Sequence, residues 1–209
     1  MKLRFHYHRN ADLVVKEAEF NSDYLEVENA LKEISDYQLI EEFNRRKIER
    51  SNIKSLSEPI NLLLKNRLVD LGWNQESGIF KEPPYSDANK KKWRLDFAKN
   101  DISIEVAFNH QEAIAHNIMK PCLASELNHV EKEIQTKMGI IITATDELKA
   151  ACGFDSTVGT FEKFIEYFKP YNAIIPTPIV LIGIEKTETF YIKPVLENRR
   201  RLESVVEYY

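Results

Sequence analysis

Asp96-Phe97-Ala98-Lys99-Asn100-Asp101-Ile102-Ser103-Ile104-Glu105-Val106-Ala107-Phe108 is the stretch on which the reading of this chain turns. Ile102, Ile104, Val106 and Phe108 alternate with Ser103, Glu105 and Ala107, the period-two pattern of a half-buried strand. A lone carboxylate on such a strand is costly unless it is paired or holds a metal. Asp96 reaches the same region from a turn or from a neighbouring antiparallel strand. Two converging carboxylates suit a hard divalent cation such as Mg2+, which points to metal-dependent hydrolysis of phosphodiesters. The plainer alternative is a rim glutamate that is solvated or paired with a lysine.

Outward from this segment, strands and helices alternate. Leu3, Phe5 and Tyr7 predict a first strand. Helices follow over Asp23–Ser35 and Tyr37–Arg50, and Ser57 caps another through Asp70, with Glu58 and Pro59 in its first turn. Residues 74–92 read as a hairpin or loop. Beyond Phe108, Asn109-His110-Gln111 turns into a helix near Glu112–Met119. Pro121 restarts that helix, and Leu123, Leu127, Val130 and Ile134 space like one buried face. Met138–Thr143 is a fully apolar strand, and Thr145, Asp146 and Glu147 open the next helix. A loop spans Gly153–Gly159, a helix Thr160–Phe168, a strand Ile179–Ile184, and an edge strand Thr189–Ile192. The pattern predicts an α/β fold, a central mixed β-sheet flanked by helices on both faces. A single domain is expected: an N-terminal strand and helices over 1–56, a core over 57–192 and a tail over 193–209.

Composition narrows the function classes. The chain has 209 residues, 43% hydrophobic and 30% charged, with net charge −4, so it buries a sizeable core. The acidic balance argues against a nonspecific nucleic-acid coat, although local patches can serve phosphates. Three basic clusters qualify: Arg45-Arg46-Lys47, Lys90-Lys91-Lys92 with Arg94, and Arg199-Arg200-Arg201. Cys122 and Cys152 give neither a disulfide framework nor metal-ligand spacing. No apolar run is long enough for a membrane span, and the first residues lack a signal peptide's apolar stretch, so a cytoplasmic protein is expected. Glu82-Pro83-Pro84-Tyr85 approaches the tetrad of amino-methyltransferases, but its Glu is too long for the target amine. No glycine-rich cofactor loop accompanies it.

The Ile104–Phe108 strand, the Met138 run and the Pro178 strand, in that order, resemble the BglII/BstYI type of restriction endonuclease within the PD-(D/E)xK nucleases. The resemblance spans roughly residues 57 to 185. It implies a restriction-endonuclease-like core and a type II restriction endonuclease that cuts double-stranded DNA at a short palindrome, several relatives reading sites centred on GATC. Mg2+ is the implied cofactor, with Mn2+ as a substitute. Asp96 and Glu105 match the metal ligands, and the backbone carbonyl of Val106 or Ile104 completes the inner sphere. The third catalytic position, Lys in most relatives and Gln in the BglII-like ones, is Ala107. Glu112 or His110 is then a candidate to enter the site, and Asn61 is a further candidate by position. Asn109, His110, Ser156 and Thr157 match base-contacting positions; Lys91, Lys92 and Arg94 are expected on phosphates. A two-fold target implies a homodimer, packed through the Glu112–Ile134 region, and a cognate DNA methyltransferase in the same cell. A repair or recombination nuclease with this core and a DNA-binding protein without cleavage remain the alternatives.

Overall fold

The computed structural model describes residues 1–50, 53–86, 93–126, 129–197 and 200–209, with backbone only at 200–202. Its centre is a six-stranded sheet built from β1 (Leu3–His8), β2 (Asn74–Gly78), β3 (Arg94–Lys99), β4 (Ile102–Val106), β5 (Met138–Ala144) and β6 (Ile179–Ile184), in the order β1-β6-β5-β4-β3-β2. β4, β5 and β6 run parallel, while β1, β2 and β3 pair antiparallel at the two sides. The mixed α/β sheet expected from the alternation is therefore present.

β5 and β6 are buried at every position, because they lie mid-sheet with both faces covered. On one face Ile104, Ile140, Ile142, Val180 and Ile182 share a core with the helices α2 (Ala18–Lys32), α3 (Asp36–Glu49) and α4 (Ser57–Asp70), which contribute Leu31, Phe43 and Leu64. On the other, Ala107, Ile141, Ile179 and Leu181 meet α5 (Ile114–Ser125) and α7 (Phe161–Tyr171) through Ile118, Phe161 and Phe164. A short α1 (Ala11–Val14) follows β1, and α6 (Asp146–Ala151) follows β5. Ser35 and Gln38 cap α3 reciprocally, and the Leu148 N–H donates to the Thr145 hydroxyl at the start of α6, each cap contributing about 1 kcal/mol. Ser57 opens α4 as its first residue, with Leu56 in the cap position.

Two expectations are corrected. The helix expected to run on to Ile134 ends at Ser125. Leu123, Val130 and Ile134 instead close over Phe80 and Leu95 in a satellite cluster, where an isolated bridge joins Phe80 to Lys132. The helical spacing comes from this cluster, and Leu127 lies outside the described residues. The expected edge strand and tail form one long hairpin, β7 (Phe190–Glu197) with β8 (Arg200–Tyr208), separate from the main sheet. Pro194 sits inside β7 because a two-stranded ribbon leaves one side of each strand without a ladder to donate to. Among the described residues no helix is long and apolar enough to cross a membrane.

Candidate active site

β3 and β4 are joined by a tight turn in which Asn100 takes φ 47°, and their antiparallel register pairs Phe97 with Ile104. Asp96 and Glu105 are the next residues outward on the two strands, so the turn brings together carboxyls that lie nine positions apart in sequence. The Val106 N–H donates to Asp96 Oδ2 at 2.7 Å, and burial holds the Asp96 carboxyl above its ordinary pKa. Glu105 is 2% exposed. Burial first, and the Asp96 charge second, push its carboxyl up to about 8, while Lys120 acts in the opposite direction. Lys120 Nζ donates to Glu105 Oε2 at 2.6 Å, and the other oxygen, Oε1, is buried without a partner.

An unpartnered buried carboxylate oxygen is costly. Beside a second carboxyl, it is the donor set that a hard cation takes, so the residues fit a divalent metal. Among the described residues no group of three or more His, Cys, Asp or Glu side chains gathers in metal-holding reach. Asp96 and Glu105 are thus the two side-chain carboxyls that would be offered to such an ion.

Asp96 and Val106 also line a cavity of about 200 Å3 with Asn61, Lys65, Gln75 and Glu76. Asn61 and Lys65 are one turn apart on α4, so both project to this side. Asn61, expected from sequence, lines this cavity beside Asp96, and so does Lys65, which the sequence did not single out. Glu112 is exposed in the 3-10 turn Gln111–Ala113 and stands outside this cavity. His110 is turned to the loop described below. Ala107 is buried among Ile114, Ile118 and Cys122, so its small side chain belongs to the packing under α5. The charged group that reaches Glu105 comes from α5 instead, and no motif spacing in the sequence announces it.

The base-contacting candidates are assembled from two loops. Gln111 N–H donates to Thr157 O at 2.7 Å, Gly159 N–H donates to Asn109 O at 3.0 Å, and His110 bridges to Val158. The Thr143 hydroxyl is shared between Ala107 O and Gly159 O, at 2.9 and 3.0 Å. Asp155 Oδ1 accepts from the N–H and the hydroxyl of Thr157. Asn109, His110, Ser156 and Thr157 are thus exposed side by side. Asn117 Nδ2 donates to Asn109 Oδ1 at 2.9 Å.

The basic clusters differ. Arg45, Arg46 and Lys47 are taken up by Glu42, Glu49, Glu58 and Glu203, so that run is internally neutralised. Arg94 pairs with Glu76 at 3.4 Å. Lys91, Lys92 and Arg199 lie outside the described residues.

A family model described as "Restriction endonuclease BglII/BglIII" matches residues 3–184. The chain belongs to that family. Its fold also matches two solved structures. Restriction endonuclease BglII complexed with a DNA 16-mer is 20% identical with a TM-score of 0.67, over 100% of this chain and 91% of that one. Free BglII is 15% identical with a TM-score of 0.56, over 100% and 94%. No curated protein sequence matches the chain. The family model reaches back to residue 3, so β1 and the N-terminal helices, where the sequence resemblance was weak, are part of the shared unit.

Proposed function

We propose that this chain is a type II restriction endonuclease that hydrolyses double-stranded DNA with Mg2+, or Mn2+ in its place, at a short palindrome of the GATC-centred kind. The observation that carries the reading is the Asp96–Glu105 pair, with the buried Oε1 of Glu105 left unpartnered in a chain of this family.

The chain's own residues do three things. Val106 fixes Asp96 through its N–H, and its carbonyl is the proposed third oxygen of the inner sphere. Burial excludes water from Glu105, so charge placed there is weakly screened. Asn61 lines the cavity where a phosphate would enter. Asp96 and Glu105 would hold the metal, which when bound would supply Lewis-acid polarisation and a more acidic water.

Recognition is assigned to Asn109, His110, Ser156 and Thr157, whose amide, ring and hydroxyl groups can read base edges. Arg94, with Lys91 and Lys92, is assigned to the phosphates, which position the duplex without specifying it. A palindromic target requires a homodimer, and a host that keeps such an enzyme in its cytoplasm requires a methyltransferase to protect its own sites.

Digestion of mixed phage and genomic DNA by the purified protein, with Mg2+ and with EDTA, tests the reading. Discrete metal-dependent fragments are expected. A metal-dependent smear would assign the chain to the nucleases without strict readout, and sequence-specific binding without cleavage would make it a DNA-binding protein.

A further inference from the structure

We propose that Lys120 is the third catalytic residue of this chain, delivered to the two carboxylates from helix α5 and touching the scissile phosphate in place of the side chain that strand β4 lacks at Ala107. The inference rests on the nuclease reading and names a residue that the family pattern does not.

Four observations carry it. Lys120 Nζ lies 2.6 Å from Glu105 Oε2, so a cation is already seated at the carboxylate. Its side chain is 13% exposed, which restricts the stem to one direction and leaves the head short of bulk solvent. The strand position that could carry a basic group is closed: Ala107 is 1% exposed within the apolar cluster under α5. Finally, the backbone is built to bring the helix this close. A Cβ on Gly139 of β5 would stand 2.5 Å from Pro121 Cβ, so the glycine lets the turn after Lys120 lie directly on the sheet beside β4.

An ammonium has three donors, and Glu105 Oε2 uses one. The others are free to meet a phosphoryl oxygen, whose negative charge grows during displacement. In that step a water oxygen forms a bond to phosphorus, and the bond to the leaving oxygen breaks with its electron pair on that oxygen. The attacking water releases a proton to solvent and the leaving oxygen takes one from solvent. Lys120 takes no part in these transfers and acts by charge, in a buried site where charge is weakly screened.

The test compares the parent protein with Lys120→Met, which keeps the length of the side chain, and Lys120→Arg, which keeps the charge. Single-turnover cleavage, DNA binding in EDTA and Mn2+ affinity at pH 8.5 are measured on each. Lys120→Met should lose about a hundredfold to a thousandfold in cleavage, the usual cost of removing one transition-state donor. It should bind DNA as the parent does and hold Mn2+ about tenfold more tightly, because a neighbouring positive charge is gone. Lys120→Arg should retain more cleavage than Lys120→Met. Cleavage by Lys120→Met within fivefold of the parent overturns the proposal, and so does Mn2+ affinity that is unchanged or weaker. A parent protein that cuts nothing overturns the nuclease reading instead. The Mn2+ measurement still decides, on its own, whether Lys120 stands at the metal-binding carboxylates.

Discussion

Asp96 and Glu105 are neighbours on paired strands, yet they live in different surroundings. Asp96 is half-buried, held by one backbone N–H, and opens on a cavity shared with α4. Glu105 is closed over by α5, bonded to Lys120 through one oxygen and unsatisfied at the other. The pair is thus asymmetric: one carboxyl opens on the cavity, and the other is buried against Lys120. Two like residues acquire different tasks when burial and partners differ.

The largest effect expected tests whether both halves of the pair are needed. Asp96→Ala and Glu105→Ala should each reduce single-turnover cleavage at least about a thousandfold, since a metal site contributes several kcal/mol to the transition state. Target binding in EDTA should survive in both. A variant that still cuts at the parent's rate would remove its residue from the site.

The next effect concerns the buried side alone. Ala107→Leu forces a larger group into the cluster under α5 and should cost about 1–3 kcal/mol, read as a lower midpoint in urea. An unchanged midpoint would mean that the space beneath α5 is looser than the burial of Ala107 implies.

The pH response separates the two carboxyls again. Glu105 titrates near 8 in the folded metal-free protein and near its ordinary value when unfolded, so the folded state binds the extra proton between those limits. Stability of the metal-free protein should therefore fall as pH rises from about 4.5 to about 8. In Glu105→Gln that part of the slope should vanish. Mn2+ uptake by the parent should strengthen over the same range, with release of a proton. An affinity that does not vary with pH would contradict the burial of Glu105.

The smallest effect belongs to the loop that carries Asn109. Asn117→Ala removes the bond to Asn109 and should cost about 1 kcal/mol of stability, together with some loss of discrimination between target and near-target DNA. Equal discrimination would detach Asn117 from readout.

Much of the molecule was legible in the sequence because its signals are local. The alternation from Ile102 to Phe108 marks β4, the apolar runs mark β5 and β6, and Thr145 marks the start of α6. Asp96 and Glu105 could be read because a single turn joins them. Lys120 could not, because its place at Glu105 depends on how α5 lies across the sheet, and that is set by the approach of Pro121 to Gly139 on β5, a contact that no local pattern announces. The spacing of Val130 and Ile134 misled for a related reason: contact with Phe80 and Leu95 preserves an apolar pattern without a helix. Pro194 and the charges around it hid the β7–β8 hairpin, since a ribbon outside the main sheet tolerates both.

The closed packing around Ala107 also bears on how such a site changes over generations. A long side chain restored at 107 in one step meets Ile118 and Cys122 before it can help, and loss of Lys120 in one step strips the charge from Glu105. If Lys120 serves as proposed, positions 107 and 120 are coupled, and the effect of changing both should differ from the sum of the two single changes. Lineages that carry alanine at 107 should keep lysine at 120, and those that lose one should be found to have changed the other.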